Sequence, residues 1–399
     1  MIADIRQEFN AAFTLEKYQH LLADMAGQLG EAVDFRVAES PFFVPDILRD
    51  RLLTACEDIA ATIGTPDYYK LSERAIPAHQ RVPGDDARPT MLVADFAVCM
   101  DEKGEPMPQL IEMQGFPSLF AYQILLAEAY KKHFDTPAVF DAYLNGYNST
   151  TFGQLLREMI LGTYPAENVI LLEIEPEKQK TRADFSATQQ LCGIVPVCLS
   201  KIIREKRKLY YLLNGEKTPI HRIYNRVIFD ELEQRTDLKL SFSMLEEVDV
   251  EWVCHPNWFF RMSKYSMPFF KSPFIPETHF VHQLSSLPAD LENWVLKPLY
   301  SFAGMGVNVH VKPEDITALE DPSHYILQKK VQYAPVLAAP QAAVKVEIRM
   351  MMFWPTHQEK PEVVTNLCRL SRGELIGVRY NKDFDWVGGS SAFFRQSTV

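Results

Sequence analysis

Apolar positions at helical spacing open the chain. Phe9, Phe13, Leu15, Tyr18, Leu21, Leu22, Met25 and Leu29 predict one helix over residues 8–29, stopped by Gly30. A second helix is predicted from Pro45 to Ile63, ended by Gly64. The pattern then changes to continuous apolar runs. Residues 91–99 and 109–113 read as the two strands of a hairpin around an Asp-Glu-Lys-Gly-Glu-Pro turn, and Ser118 as the N-cap of a helix running to about His133. From residue 165 a buried strand at 169–174, a helix at 185–192 and strands at 193–199, 209–213 and 220–226 predict a small open α/β domain of parallel type. A Pro- and aromatic-rich stretch, 254–276, precedes strands expected at 294–297, 307–311, 325–331, 344–354, 362–370 and 374–380. The fold class is therefore α/β with α+β character, and 399 residues exceed what one simple core organises.

Composition narrows the partners. A hydrophobic share of 47% and a charged share of 23% are ordinary for a soluble globular chain. The net charge of −11 argues against nucleic acid or an anionic membrane as the main partner. An anionic ligand would need local basic groups. Cys56, Cys99, Cys192, Cys198, Cys254 and Cys368 form no Cys-x-x-Cys pair and are expected to be reduced. No basic segment followed by an apolar stretch opens the chain, and no apolar run approaches the ~20 residues that span a bilayer. A cytoplasmic location is the expectation.

Several groups of residues carry candidate chemistry. Val295-Leu296-Lys297-Pro298 reads as a strand end bearing a cation. Ser301, Ala303, Gly304 and Gly306 then make a loop whose backbone can approach phosphates closely. The spacing is neither the P-loop nor the dinucleotide pattern, and a plain hairpin turn beside a surface lysine is the alternative. Asp95 and Glu112 lie inside apolar strands, with Gln114 following on the same face. Such carboxylates need a partner, and oxygen-only ligands suit Mg²⁺; pairing with a nearby arginine or with backbone amides is the alternative. Glu347, Arg349 and Arg369 lie on apolar strands, where arginine suits phosphate or carboxylate oxygens, although a Glu347–Arg349 ion pair would also explain two of them. Gln328-Lys329-Lys330-Val331 ends a strand whose backbone edge suits a purine, surface lysines being the alternative. Arg222, Tyr224 and Arg226 suit an acidic substrate, or a strand end paired with Asp230 or Glu231. His221 and His255 are expected to be loop or core residues. Trp258, Phe259 and Phe260 are expected to be exposed, with room for a homodimer contact.

Taken together, residues 264–389 resemble the ATP-grasp ligases. Ser263-Lys264 and Ile275-Pro276-Glu277-Thr278 resemble the first nucleotide lysine and the strand entry, and Lys297-Pro298 with Ala303-Gly304-Met305-Gly306 resembles the second lysine and the phosphate flap. Gln328, Lys329 and Val331 fall in a run that resembles the family's adenine-binding hinge, while Glu347-x-Arg349, Arg369, Asn381 and Gly388-Gly389 resemble the segment that handles the γ-phosphate and the acyl intermediate. The magnesium ligands expected to follow are instead found early, as Asp95, Glu112 and Gln114, with Gln114 in place of the usual asparagine. The order looks circularly permuted, as in eukaryotic-type glutathione synthetases and glutathionylspermidine synthase-like proteins. The resemblance implies an ATP-grasp fold in four parts: 1–150 with the metal-ligand hairpin, a substrate domain at 160–255, a nucleotide subdomain at 256–340 and C-terminal strands at 341–399. It implies ATP and Mg²⁺ as cofactors, a small-molecule carboxylate and amine as substrates, and amide formation through an acylphosphate. An ATP-grasp kinase or a non-catalytic nucleotide-binding protein are the alternatives.

Overall fold

The computed structural model describes residues 1–115, 118–300, 305–373, 376, 381 and 384–396. Ala303, Gly304 and nearly all of the strand expected at 374–380 lie outside the described residues. The expected first helix is two, Ala3–Ala12 and Leu15–Leu29. The Thr14 side chain accepts a hydrogen bond from the Lys17 amide at 3.2 Å, which starts the second helix and breaks the first. Asp46–Ile63 follows Pro45 as the pattern predicts, and Phe120–His133 starts one residue after Leu119 rather than at a Ser118 cap.

The hairpin consists of strands Met91–Met100 and Pro106–Met113. Its turn is fixed by Asp101, which accepts from the amides of Lys103 and Glu105 at 2.9 and 2.8 Å. Met91–Met100 also pairs antiparallel with Ala343–Phe353, which pairs in turn with Glu362–Ser371 and, beyond it, Gly388–Ser390. The early hairpin and the late strands thus share one sheet. Its register places Asp95 between Glu112 and Arg349, and Glu347 opposite Arg369. Cross-strand neighbours lie about 5 Å apart at Cβ, so this register alone gathers the charged positions. Helices Phe120–His133 and Ser149–Leu161 pack on the sheet, Phe120 and Phe152 meeting the Phe353 ring edge-on at 5.2 and 5.4 Å.

The middle of the chain forms a parallel sheet in the order Glu251–Val253, Arg222–Asn225, Val169–Glu173, Val195–Cys198. The strand expected at 209–213 belongs instead to an antiparallel side sheet, where Lys208–Leu213 lies between Ile203–Glu205 and Glu216–Ile220. The place of the fourth parallel strand goes to Glu251–Val253, which at 3 residues is too short to show a period. Thr278–Phe280, Tyr325–Lys329 and Trp294–Pro298 make another antiparallel sheet, with a small core around Leu291, Trp294, Val311 and Leu327. The strand expected at 307–311 is reduced to a single bridge between Leu296 and Asn308.

The aromatic run is a correction. Trp258 and Phe260 are each 1% exposed, because helix Asn257–Arg261 turns them into the core, and they offer no surface for a dimer. All six cysteines are free. Among the described residues no helix is long and apolar enough to cross a membrane.

Candidate active site

The sheet register builds a charged cluster around Asp95, which is 0% exposed. Arg349 donates to it twice, Nε to Oδ1 at 2.7 Å and Nη2 to Oδ2 at 2.9 Å, a bidentate fork. Arg369 bridges Asp95 to Glu347, whose other oxygen accepts from the Tyr333 hydroxyl at 2.6 Å. The interior pairs are therefore Arg349–Asp95 and Arg369–Glu347, not Glu347–Arg349. Burial would raise the Asp95 pKa, but the two guanidiniums hold it down at about 2. Burial pushes Glu347 up against the pull of Arg369. Burial would lower Arg369, yet Glu347 and Asp95 carry it above its ordinary value. Its side chain is 31% exposed, so Arg369 is the member of this cluster best placed to reach a ligand.

Gln114 joins the two expected metal carboxylates. Its Nε2 lies 2.9 Å from Asp95 Oδ2 and 2.7 Å from Glu112 Oε1, at the point where both oxygens converge. Lys264 stands 3.2 Å from the other Glu112 oxygen. Two carboxylates and an amide around one point are a donor set that fits Mg²⁺, with the amide hydrogens acting as the positive partner here. Among the described residues no group of three or more His, Cys, Asp and Glu side chains gathers, so any such ion would depend on the Gln114 amide and on ligand oxygens.

Lys297 closes the other side. Its Nζ donates to the Ile111 carbonyl at 2.9 Å and to Gln328 Oε1, and among the described residues no carboxylate lies within ion-pair distance. Burial, opposed by Glu112, lowers its pKa to about 8. Gln328 Nε2 and Arg369 Nε are buried without a hydrogen-bond partner. A buried lysine lacking an ion pair, bonded to a glutamine whose Nε2 is itself unpartnered, fits an oxyanion such as a phosphate. Gly306 adopts φ +70°, and a Cβ there would meet Pro298 Cγ at 2.8 Å, so the loop end needs a residue without a side chain. Lys329 is exposed and Val331 half-buried. Asn381 accepts from the amides of Arg372 and Gly373 at 2.9 and 3.3 Å, pinning the turn after Glu362–Ser371.

The hairpin end is locked to the middle of the chain at Gly115. A Cβ there would fall 1.9 Å from the Phe259 carbonyl oxygen, a backbone atom that cannot swing away. Gly115→Ala is expected to destabilise the fold by about 1–3 kcal/mol and to displace Gln114. A lowered urea midpoint at unchanged m checks this.

In the parallel sheet, Val169–Glu173 connects to one neighbour on each side, so the crevice lies at the carboxyl ends of Val169–Glu173 and Arg222–Asn225. Arg226 follows there, buried, with its guanidinium 5.7 Å from the Phe185 ring centroid. Two carboxylates flank it. Burial raises Glu173 to about 8 and raises Asp184 too, while Arg226 draws both back. Asp184 accepts from the amides of Leu119 and Tyr122 at 2.9 and 3.0 Å at the start of Phe120–His133. Arg222 lies at the opposite strand end, paired with Glu251 rather than Asp230 or Glu231, and Tyr224 is buried between the two ends. Because Glu173 takes up its proton more readily folded than unfolded, it lowers stability as pH rises from about 4.5 to about 8. Glu173→Gln should flatten that slope in thermal unfolding across this range.

No family model and no curated protein matches the chain. A solved structure does: a glutathione synthetase-like effector from Globodera pallida in its apo form has a TM-score of 0.57 and 11% identity, over 96% of this chain and 98% of that one. The likeness is one of fold. The chain has a mixed α/β, glutathione synthetase-like architecture, and at this identity side-chain roles rest on the geometry above.

Within that architecture three functional candidates escaped the sequence reading. Glu173 ended an otherwise apolar strand, a lone carboxylate that was itself the available signal. Asp184 and Tyr333 carried none, since each acquires its partner only through tertiary packing.

Proposed function

We propose that this protein is an ATP- and Mg²⁺-dependent carboxylate–amine ligase of circularly permuted ATP-grasp type, forming an amide through an acylphosphate. The observation that carries the reading is Lys297, 7% exposed and, among the described residues, without an ion-pair partner, bonded to Gln328, whose own Nε2 is buried and unpartnered. That set is incomplete without an oxyanion. Lys297 and Lys264 would neutralise nucleotide phosphates, and Gln328 would turn its free amide to the same ligand. Glu112, Gln114 and Asp95 would hold Mg²⁺, which would supply charge neutralisation to the nucleotide phosphates. Arg369 would leave Glu347 for the transferring phosphoryl group, while Arg349, held by Asp95, keeps the local field positive. Asn381 would position the acyl phosphate from the turn that it fixes after Glu362–Ser371. Arg226 would take the carboxylate of an acidic substrate, with Glu173 and Asp184 setting its orientation.

The test is ADP release with MgATP and hydroxylamine across a panel of amino acids, short peptides and polyamine-linked acids. Hydroxylamine replaces the unknown amine, so only the acid must be right. ADP with a hydroxamate establishes acyl activation. ADP with a stable phosphorylated product and no hydroxamate would make the protein a kinase.

A further inference from the structure

The Gln114 amide stands where a cation between Asp95 and Glu112 would stand. The hairpin register shifts by one residue between Asp95 and Phe96, which sets Glu112 opposite Asp95, and Gln114 follows two residues on. Its backbone N–H donates to the Val93 carbonyl at 2.9 Å, and Gly115 is held against the Phe259 carbonyl. The backbone is therefore fixed on both sides, and only the Gln114 side chain is free to turn.

The neighbours decide which end of that amide points inward. Asp95 is anionic, since two guanidiniums bond it, and carboxylate oxygens only accept. A position 2.9 Å from Asp95 Oδ2 and 2.7 Å from Glu112 Oε1 therefore takes the NH₂ end. A cation there needs the opposite, an oxygen lone pair. The two do not fit together, because Mg²⁺–oxygen bonds of about 2.1 Å leave no room for Nε2 between the same carboxylates. The remaining oxygens are engaged as well. Asp95 Oδ2 also accepts from Arg349 and Arg369, and Lys264 stands 3.2 Å from the second Glu112 oxygen. Among the described residues, Arg349, Arg369, Lys264 and Lys297 gather against Asp95, Glu112 and Glu347. The positive charges already match or outnumber the negative ones, so a further cation is unfavourable unless anionic phosphates come with it.

We propose that Gln114 is a displaceable plug. In the nucleotide-free chain its NH₂ group holds Asp95 and Glu112 together as a cation would. Its carbonyl oxygen turns inward only when the ion enters with a phosphate chain. This rests on the metal–nucleotide reading above, and adds that the free chain does not take up the metal by itself.

Titration of the nucleotide-free full chain with Mn²⁺, followed by electron paramagnetic resonance of the free ion, tests the plug. Mn²⁺ is a visible probe of the same oxygen ligands. Wild type is expected to show no saturable site up to about 1 mM. Gln114→Glu, in which a third carboxylate replaces the donor, should bind one ion per chain at least about tenfold more tightly. Adding Glu112→Gln to that variant should abolish the gain. Crowded carboxylates should lower the thermal midpoint of Gln114→Glu, and Mn²⁺ should raise it again while leaving wild type unmoved. Saturable Mn²⁺ binding by nucleotide-free wild type that Glu112→Gln removes overturns the plug and leaves the metal reading standing. A folded Gln114→Glu chain that neither binds Mn²⁺ nor is stabilised by it overturns the plug as well. Failure of the reading itself shows separately, as a wild type whose binding of a non-hydrolysable ATP analogue ignores Mg²⁺, and it takes the plug with it.

Discussion

Arg349→Ala is expected to cost about 3–5 kcal/mol of stability, because it removes the bidentate partner of a carboxylate with no exposure to water. Arg369 remains, but its single contact cannot replace a fork that satisfies both oxygens. The measurement is the urea midpoint, read at unchanged m so that the change reflects stability rather than compactness. A loss below about 1 kcal/mol would mean that Asp95 is not charged and paired in the folded chain. The same pair sets an acid limb. Asp95 is held at about 2, below its ordinary 3.8, so its contribution is present above that ordinary value and is lost as pH falls through the folded one. In Arg349→Ala the limb should move to higher pH.

Lys297→Met is expected to lower ADP formation by about 100- to 1000-fold while leaving the fold intact, since the side chain has no ion pair to break. Removing a buried cation that lacks a counter-ion should leave stability unchanged or raised. The pH dependence separates a phosphate role from a structural one. Burial lowers Lys297 to about 8, and a bound phosphate would favour its charged form. Nucleotide binding should therefore take up a proton near that pH, and affinity should fall as pH rises through it. Lys297→Arg should lose this dependence. Identical pH profiles in wild type and Lys297→Arg would show that the lysine does not contact the nucleotide.

Much of the site was legible because its residues break apolar strands. Asp95, Glu112, Glu347, Arg349 and Lys297 each stand out against Val, Leu, Ile and Met neighbours, and burial is what makes a charge there informative. The partner choice was less legible. Asp95 with Arg349 and Glu347 with Arg369 follow from antiparallel register, which joins the first two across 254 residues and the second two across adjacent strands. Short elements were missed for a different reason. Phe42–Val44, Phe140–Asp141 and Ala392–Arg395 form a sheet of strands only two to four residues long, with no room for a period. The run Trp258-Phe259-Phe260 misled because loop-like composition hid a one-turn helix that carries aromatic side chains inward. Arg222 and Arg226 looked like one substrate clamp, but the strand between them places them at opposite ends of the sheet.

In the proposed reading, the cluster from Lys297 to Glu112 is a metal–nucleotide site. Isothermal titration of wild type and Glu112→Gln with a non-hydrolysable ATP analogue, with and without Mg²⁺, tests it most directly. One site per chain that depends on Mg²⁺ is expected in wild type, with affinity lowered at least about 100-fold in a folded Glu112→Gln protein. Absence of binding to folded wild type, or affinity indifferent to both Mg²⁺ and Glu112, would contradict it.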